Sequence, residues 1–274
     1  MSAVEPVDEM KRSVERNTGA VSPVLRAATL LAHVARAPEP LSLAALSAAV
    51  RLPTPTAHRL AGLLEQAGLV RKDLLTRRYE VGPLLLEMGF DALRSAPARR
   101  NRQLLLERLS EKLGETVNLG VLSAGAVVYL DRVEASWPLR MDFKPGSRVP
   151  LHCTANGKLL LAYATPSARE RLLQALRLAP LTSRTITSRA RLQAALGEIR
   201  RRGWSEDDEE FLAGVCCLAV PVRDRRGRVI AGLAVSAPSA RFTLARAREH
   251  VPDLRTTADA LGAELALERG EDST

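Results

Sequence analysis

Cysteine, acidic residues and long apolar runs are all scarce in this chain, and each shortage narrows what it does. Three cysteines occur in 274 residues: Cys153, Cys216 and Cys217. An odd set without a ladder of spacings argues against a secreted disulfide scaffold and for reduced thiols. No segment approaches the uninterrupted apolar length that crosses a bilayer. The opening MSAVEPVDEMKRSVERNTGA mixes charges and lacks the apolar core of a signal peptide. The expectation is a cytoplasmic protein with no membrane association. Internal repeats, low-complexity tracts, a glycine-rich phosphate loop and a spaced set of His and Asp are also missing, so neither a cofactor nor a metal is expected. Asp and Glu number 31 against 40 Lys and Arg, a formal charge of +9. That balance favours polyanionic partners. Because Arg far outnumbers Lys and the excess is spread along the chain, an arginine-rich background would give the same balance. Length and a 46% hydrophobic content suit about two compact domains.

Residues 1–20 lack apolar periodicity and read as a flexible arm. Order begins at Ser22-Pro23, a cap and a first-turn proline, followed by Val24, Leu25, Ala28, Leu31, Ala32 and Ala35 at helical spacing. Ser42 caps a short second helix over 43–50. In the stretch RLPTPTAHRL a third helix is predicted to begin at Pro55, where a missing N–H is harmless, with Thr54 as its N-cap. It runs to 67 and stops before Gly68. Two strand-like pieces, 69–72 and 78–81, flank a polar turn and close at Gly82-Pro83. Three helices and a basic hairpin compose a winged helix-turn-helix over 21–82, and 83–97 reads as a connecting helix.

From 98 to 270 helices alternate with strands. A long helix ends at Gly114. Strands are predicted at 116–122, 127–133 and 139–143, and helices near 158–164, 167–176 and 189–202. Two apolar strands, 215–222 and 229–237, precede a single closing helix capped by Thr243 and running to about 269. Long antiparallel strands with helices at both ends make an α+β sheet domain.

A winged helix enters the major groove of double-stranded DNA by the leading end of its third helix, which offers Thr54, Thr56, Ala57, His58 and Arg59 as contacts. Threonine hydroxyls and first-turn amides bond phosphates or base edges, and threonine methyls touch thymine. The alternatives are plain capping by Thr54 and a packed His58. Arg71, Lys72, Arg77 and Arg78 bracket the hairpin, and six basic residues stand against Glu65 and Asp73 between Arg51 and Arg78. That suits a wing tracking phosphates, with a merely solvated hairpin as the alternative. One such module reads one half-site, so a homodimer on a pseudo-palindrome is implied.

Three stretches carry a resemblance: LPTPTAHRLAGLLEQAGLVRK, WPLRMDFKPGSRVPLHCTANGKLLLAY and GWSEDDEEFLAGVCCLAVPVRDRRGRVIAGLAVSAPSAR. In this order they resemble the IclR family of bacterial transcription regulators. Gly203, Asp207, Glu210, Cys217, Leu218, Ala219, Val222 and Asp224 fall on the family's late signature. Arg223 departs from it, standing where an aromatic residue or His is usual, and Asn156 stands where many relatives carry Ala or Gly.

The resemblance implies a GAF-like C-terminal domain that binds a small, often carboxylate-bearing effector at Ala155, Asn156, Asp207, Val215 and Cys217. It also implies a regulator, more often a repressor, that forms dimers able to pair into tetramers, with the N-terminal domains and connecting helix making the dimer contact; a nucleoid-associated protein that is not an enzyme is expected. The residues fit on their own terms: Ala155-Asn156-Gly157 opens a helix, whose free amides favour an anion, and Asn156 adds a donor and an acceptor. Asp207 within EDDEE also fits a solvated acidic run. His152, Cys153, Cys217 and Asp207 offer base, nucleophile and orienter in name. Yet Cys216 and Cys217 adjoin in a strand, so at most one lines a cavity. Buried structural thiols, or a redox- or metal-responsive input through the C-terminal cysteines, are the alternatives.

Overall fold

Side-chain oxygens open helix after helix along this chain. In the computed structural model, which describes residues 22–37, 39–95, 99–123, 125–135 and 143–268, Ser22, Ser42, Thr154, Thr165, Ser188 and Thr243 each accept a hydrogen bond from a first-turn amide. The chain divides into two compact units, the first reaching Ala92 and the second beginning at Leu93.

The first unit holds α1 (Pro23–Arg36), α2 (Leu43–Ala49), α3 (Thr54–Gln66), β1 (Val70–Lys72) and β2 (Tyr79–Val81). Leu30, Val34, Leu46, Leu60, Ala61, Leu64, Val70 and Tyr79 form its core. The strands pair antiparallel, Arg71 opposite Glu80, and Leu41 bridges to Tyr79 beside them. Three helices with this hairpin are the winged architecture the sequence predicts.

The predicted start of α3 needs correction. Pro53, not Thr54, is the N-cap, so Thr54 and Pro55 occupy the first helical positions and no side chain caps the helix. Both placements leave a proline where its missing N–H costs nothing. The Thr54 hydroxyl instead lies 3.4 Å from that of Ser47.

α4 (Pro83–Ser95) crosses the boundary between units, and α5 (Arg99–Leu113) opens the second. The last two residues predicted for the connecting helix, 96–97, lie outside the described residues, as do the arm at 1–20 and residues 269–270. The sheet contains β3 (Thr116–Ser123), β4 (Ala126–Val133), β5 (Arg148–Val149), β6 (Ser205–Asp208), β7 (Val215–Arg223) and β8 (Val229–Pro238). Its order is β5-β4-β3-β8-β7-β6 and every pairing is antiparallel. Most of the strand predicted at 139–143 lies outside the described residues.

α6 (Ala155–Tyr163) lies on one face of the sheet, buried along nearly its whole length, with α8 (Arg189–Arg202) packed against it and α7 (Pro166–Ala175) beside it. α5 covers the opposite face, where Arg102 and Asp131 form a fully buried ion pair, Nε to Oδ2 2.9 Å. α8 ends at Gly203, whose φ of 82° is the left-handed conformation that favours glycine. The closing helix is two helices, α9 (Leu244–Glu249) and α10 (Val251–Glu268). Pro252 has no N–H for the carbonyl of Arg248, so a continuous helix cannot pass through it.

Candidate functional site

Two surfaces carry the predicted residues, one in each unit. In the first, the leading turns of α3 expose Thr54, His58 and Arg59 and leave Thr56 half-buried. Ala57 is 0% exposed and leaves the set of DNA contacts: Ala57, Leu60, Ala61 and Leu64 form the stripe on which α3 packs. On the hairpin, Arg71 pairs with Glu80, Lys72 lies over the Tyr79 ring at 5.2 Å, and Arg78 donates to the Pro40 carbonyl at 3.1 Å. Arg77 is exposed, with φ of 57° at the turn.

In the second unit, a small pocket open to solvent lies between the first turn of α6 and the sheet. It brings together all five residues named from the sequence: Ala155, Asn156, Asp207, Val215 and Cys217. Cys216, its neighbour on the strand, points away, as alternation requires. The β6–β7 register sets Asp207 directly opposite Cys217.

The floor is a hydrogen-bonded ladder. Asn156 Nδ2 donates to Asn118 Oδ1 at 3.0 Å, Asn118 Nδ2 donates to Ser236 Oγ at 3.2 Å, and the Cys217 thiol reaches the same Oγ at 3.2 Å. Among the described residues nothing donates to the buried Asn156 Oδ1, which is packed against Gly232 of the sheet. Two glycines make room for this amide. A Cβ on Gly232 would stand 2.3 Å from Asn156 Oδ1, and one on Gly120 3.0 Å from Nδ2. Gly232→Ala is therefore expected to cost about 1–3 kcal/mol by urea unfolding, and Asn156→Ala added to it to recover most of that. A double variant no more stable than the single would place the strain elsewhere.

The walls are apolar. Tyr129, Phe143 and Phe211 form a chain of rings with centroids 6.0 Å apart, joined by Leu212, Val215 and Ala234. Apart from Val215, the sequence reading missed these and the ladder residues Asn118 and Ser236. Polar residues inside the apolar runs TVNLGVLS and VIAGLAVSAP were the available signal for the latter two.

Charge in the site is buried. Asp207 Oδ1 accepts from the amides of Glu210 at 2.7 Å and Phe211 at 3.4 Å. Burial pushes its carboxyl up to about 7, against the pull of the Lys158 charge. Lys158 is itself buried and bonded to Glu210, whose acid burial also raises. Thr185 and Thr182 hydroxyls hold the Glu210 and Glu209 carbonyls at 2.6 and 2.7 Å, fixing the turn that presents these acids.

Burial and nearby carboxylates push the thiols of Cys153 and Cys216 up to about 12 and Cys217 well above its usual range. Burial thus keeps all three protonated at neutral pH, which speaks against a thiolate nucleophile. One group among the described residues, Asp208, Glu209 and Cys216, brings donor atoms within 4.8 Å of one another. Arg184 already binds Asp208, and the Gly214 amide already binds Glu209. Arg223 settles its departure from the signature by stacking on Tyr163 at 4.9 Å and bonding the Gly227 carbonyl at 2.8 Å.

Known proteins share this plan. Residues 23–74 match the profile described as the IclR helix-turn-helix domain, and 90–263 that described as bacterial transcriptional regulator IclR C-terminal. The "Probable transcriptional regulator SauR" of Cupriavidus necator is 44% identical over 235 residues, covering 86% of this chain and 93% of its own. The transcriptional repressor IclR of Escherichia coli is 31% identical over 234 residues, covering 85% of each. Among solved structures, an IclR homologue from Microbacterium hydrocarbonoxydans complexed with 4-hydroxybenzoate superposes with a TM-score of 0.56 at 26% identity, over 90% of this chain and 100% of that one.

Proposed function

The chain belongs to the IclR family of bacterial transcriptional regulators, and from that premise we propose that it is a ligand-responsive repressor of a catabolic or metabolic operon, binding a pseudo-palindromic operator as a dimer or a dimer of dimers. Its relatives are transcriptional regulators, not enzymes. Work on chromosomal DNA puts it in the cytoplasm, and among the described residues no helix is long and apolar enough to cross a membrane.

The effector is a small organic molecule with a carboxylate at one end. The observation that carries this is the pocket: a helix N-terminus and the Asn156–Asn118–Ser236 ladder at one side, aromatic and aliphatic walls at the other. A protonated Asp207 donates to a carboxylate where an ionised one repels it. Binding shifts the protein between two arrangements of its DNA-reading units, by no more than the effector's difference in affinity for them. A thermal-shift screen of aliphatic and aromatic carboxylates tests the reading. A true effector present at one hundred times its Kd stabilises the native state by about 2.7 kcal/mol and changes affinity for a selected duplex. A carboxylate panel that leaves the melting temperature unmoved sinks it.

On the DNA side, Thr54, Thr56, His58 and Arg59 are the proposed helix contacts, with Arg71, Lys72, Arg77 and Arg78 on phosphates. Each lost phosphate contact should flatten the plot of log affinity against log salt by about 0.9. Arg77→Ala and Arg78→Ala are each expected to do so in fluorescence anisotropy. Slopes matching the unaltered protein in both variants would take the wing out of the interface.

A further inference from the structure

Leu74 and Leu75 stand at the tip of the hairpin between β1 and β2 with their residues 82% and 94% exposed. Single exposed apolar residues are ordinary. An adjacent pair crowning a projection flanked by Arg71 and Lys72 on one side and Arg77 and Arg78 on the other is not. The tip is also built to hold its shape. Asp73 Oδ1 accepts from the amides of Leu75 at 3.0 Å and Thr76 at 2.7 Å and from the Thr76 hydroxyl at 2.9 Å, and these bonds hold its carboxyl below the ordinary range. The amides of Asp73 and Arg77 close the turn on the carbonyls of Arg78 and Asp73, both at 2.9 Å. A turn fixed in this way loses little freedom when its leucines are buried in a partner.

Charge selects the partner. An apolar protein surface would cover the leucines and offer no counter-charge to Lys72, Arg77 and Arg78, Arg71 being paired with Glu80, and a second copy of the same tip would add like charges. A DNA minor groove satisfies both at once, because its floor of base edges lies between two rows of phosphates. We infer that Leu74 and Leu75 form an apolar wedge that enters the minor groove next to the α3 contact and partly unstacks one base step, kinking the duplex. The inference rests on the DNA-binding reading above. Pyrimidine–purine steps unstack most easily, so the wedge confers sequence preference at a position that no polar side chain reads.

The test uses the full chain and a duplex recovered by in vitro selection with it, remade with 2-aminopurine at each adenine in turn. Binding is expected to brighten the probe at one step in each half-site. Leu74→Ser/Leu75→Ser should abolish that signal and weaken binding about tenfold at an unchanged salt slope, while Arg77→Ala should keep the signal and flatten the slope. Both positions are exposed, so melting curves should match; Leu75→Ser alone serves should the pair misfold. A bound duplex with no brightened position, or serine variants that brighten it like the unaltered protein, overturns the wedge and spares the DNA-binding reading. A serine pair that sediments as a smaller oligomer without DNA overturns it in favour of a protein contact. Recovery of no duplex at low salt overturns both readings.

Discussion

Replacing Lys158 with methionine is expected to lower the unfolding free energy by about 3–5 kcal/mol. Lys158 is 3% exposed, in the first turns of α6, and its ammonium is bonded to a Glu210 carboxylate that is also buried. Its charge also favours the ionised form of Asp207. Methionine keeps the unbranched stem and the helix propensity, so the change removes the charge and little else. What remains is a buried carboxylate whose second oxygen, Oε2, already has no partner among the described residues, and a second acid beside it.

The sign of the pH dependence follows. The penalty belongs to the ionised acids, and burial already raises both Glu210 and Asp207, so the loss is largest at alkaline pH and shrinks as they take up protons. Urea titrations at pH 5 and pH 8 check this. Lys158→Met/Glu210→Gln removes both partners and should recover most of the loss, because a neutral amide tolerates burial that a lone carboxylate does not. A loss below about 1 kcal/mol, as an exposed pair gives, would mean that water reaches the pair.

Caps and periodicity made most helices readable: Ser188 and Gly203 bound α8 where the sequence puts its ends. Where two placements satisfy the same local rule, the sequence cannot choose. In PTPT, a helix starting at Thr54 or at Pro55 leaves its prolines equally harmless, and the packing of α3 decides. Ala57 was legible and misread, since it shares the period of Leu60, Ala61 and Leu64 and so belongs to the core. The Pro252 break was equally legible from proline chemistry. β6 was not. Ser205–Asp208 is acidic and lies at the sheet edge, where only pairing with β7, a long-range event, makes it a strand. That pairing turns Asp207 from a member of an acidic run into a buried acid facing Cys217. The family signature pointed to Asp207, and the register gives the physical reason. The aromatic wall escaped for a similar reason: Tyr129, Phe143 and Phe211 lie far apart along the chain and meet only in the fold.

Asp207→Asn is expected to stabilise the protein above neutral pH and to erase one step of its pH dependence. Asp207 is 1% exposed, and burial raises its carboxyl from 3.8 to about 7, with Lys158 and the amides of Glu210 and Phe211 pulling the other way. Between these two values the folded chain holds a proton that the unfolded chain has released. Stability therefore falls as pH rises through that window, by about 1.4 kcal/mol per pH unit and roughly 4 kcal/mol in all, and levels off above it. Asparagine keeps an Oδ1 for both amides and carries no charge to bury. The variant's advantage should thus grow from pH 4 to pH 7 and then stay constant, as urea titrations at stepped pH would read. An advantage independent of pH would mean that Asp207 ionises in the folded chain as it does in water. The same proton governs the ligand: a carboxylate meets a neutral acid below pH 7 and an anion above it. Effector affinity in the unaltered protein should therefore decline as pH passes 7, while in Asp207→Asn it should hold level.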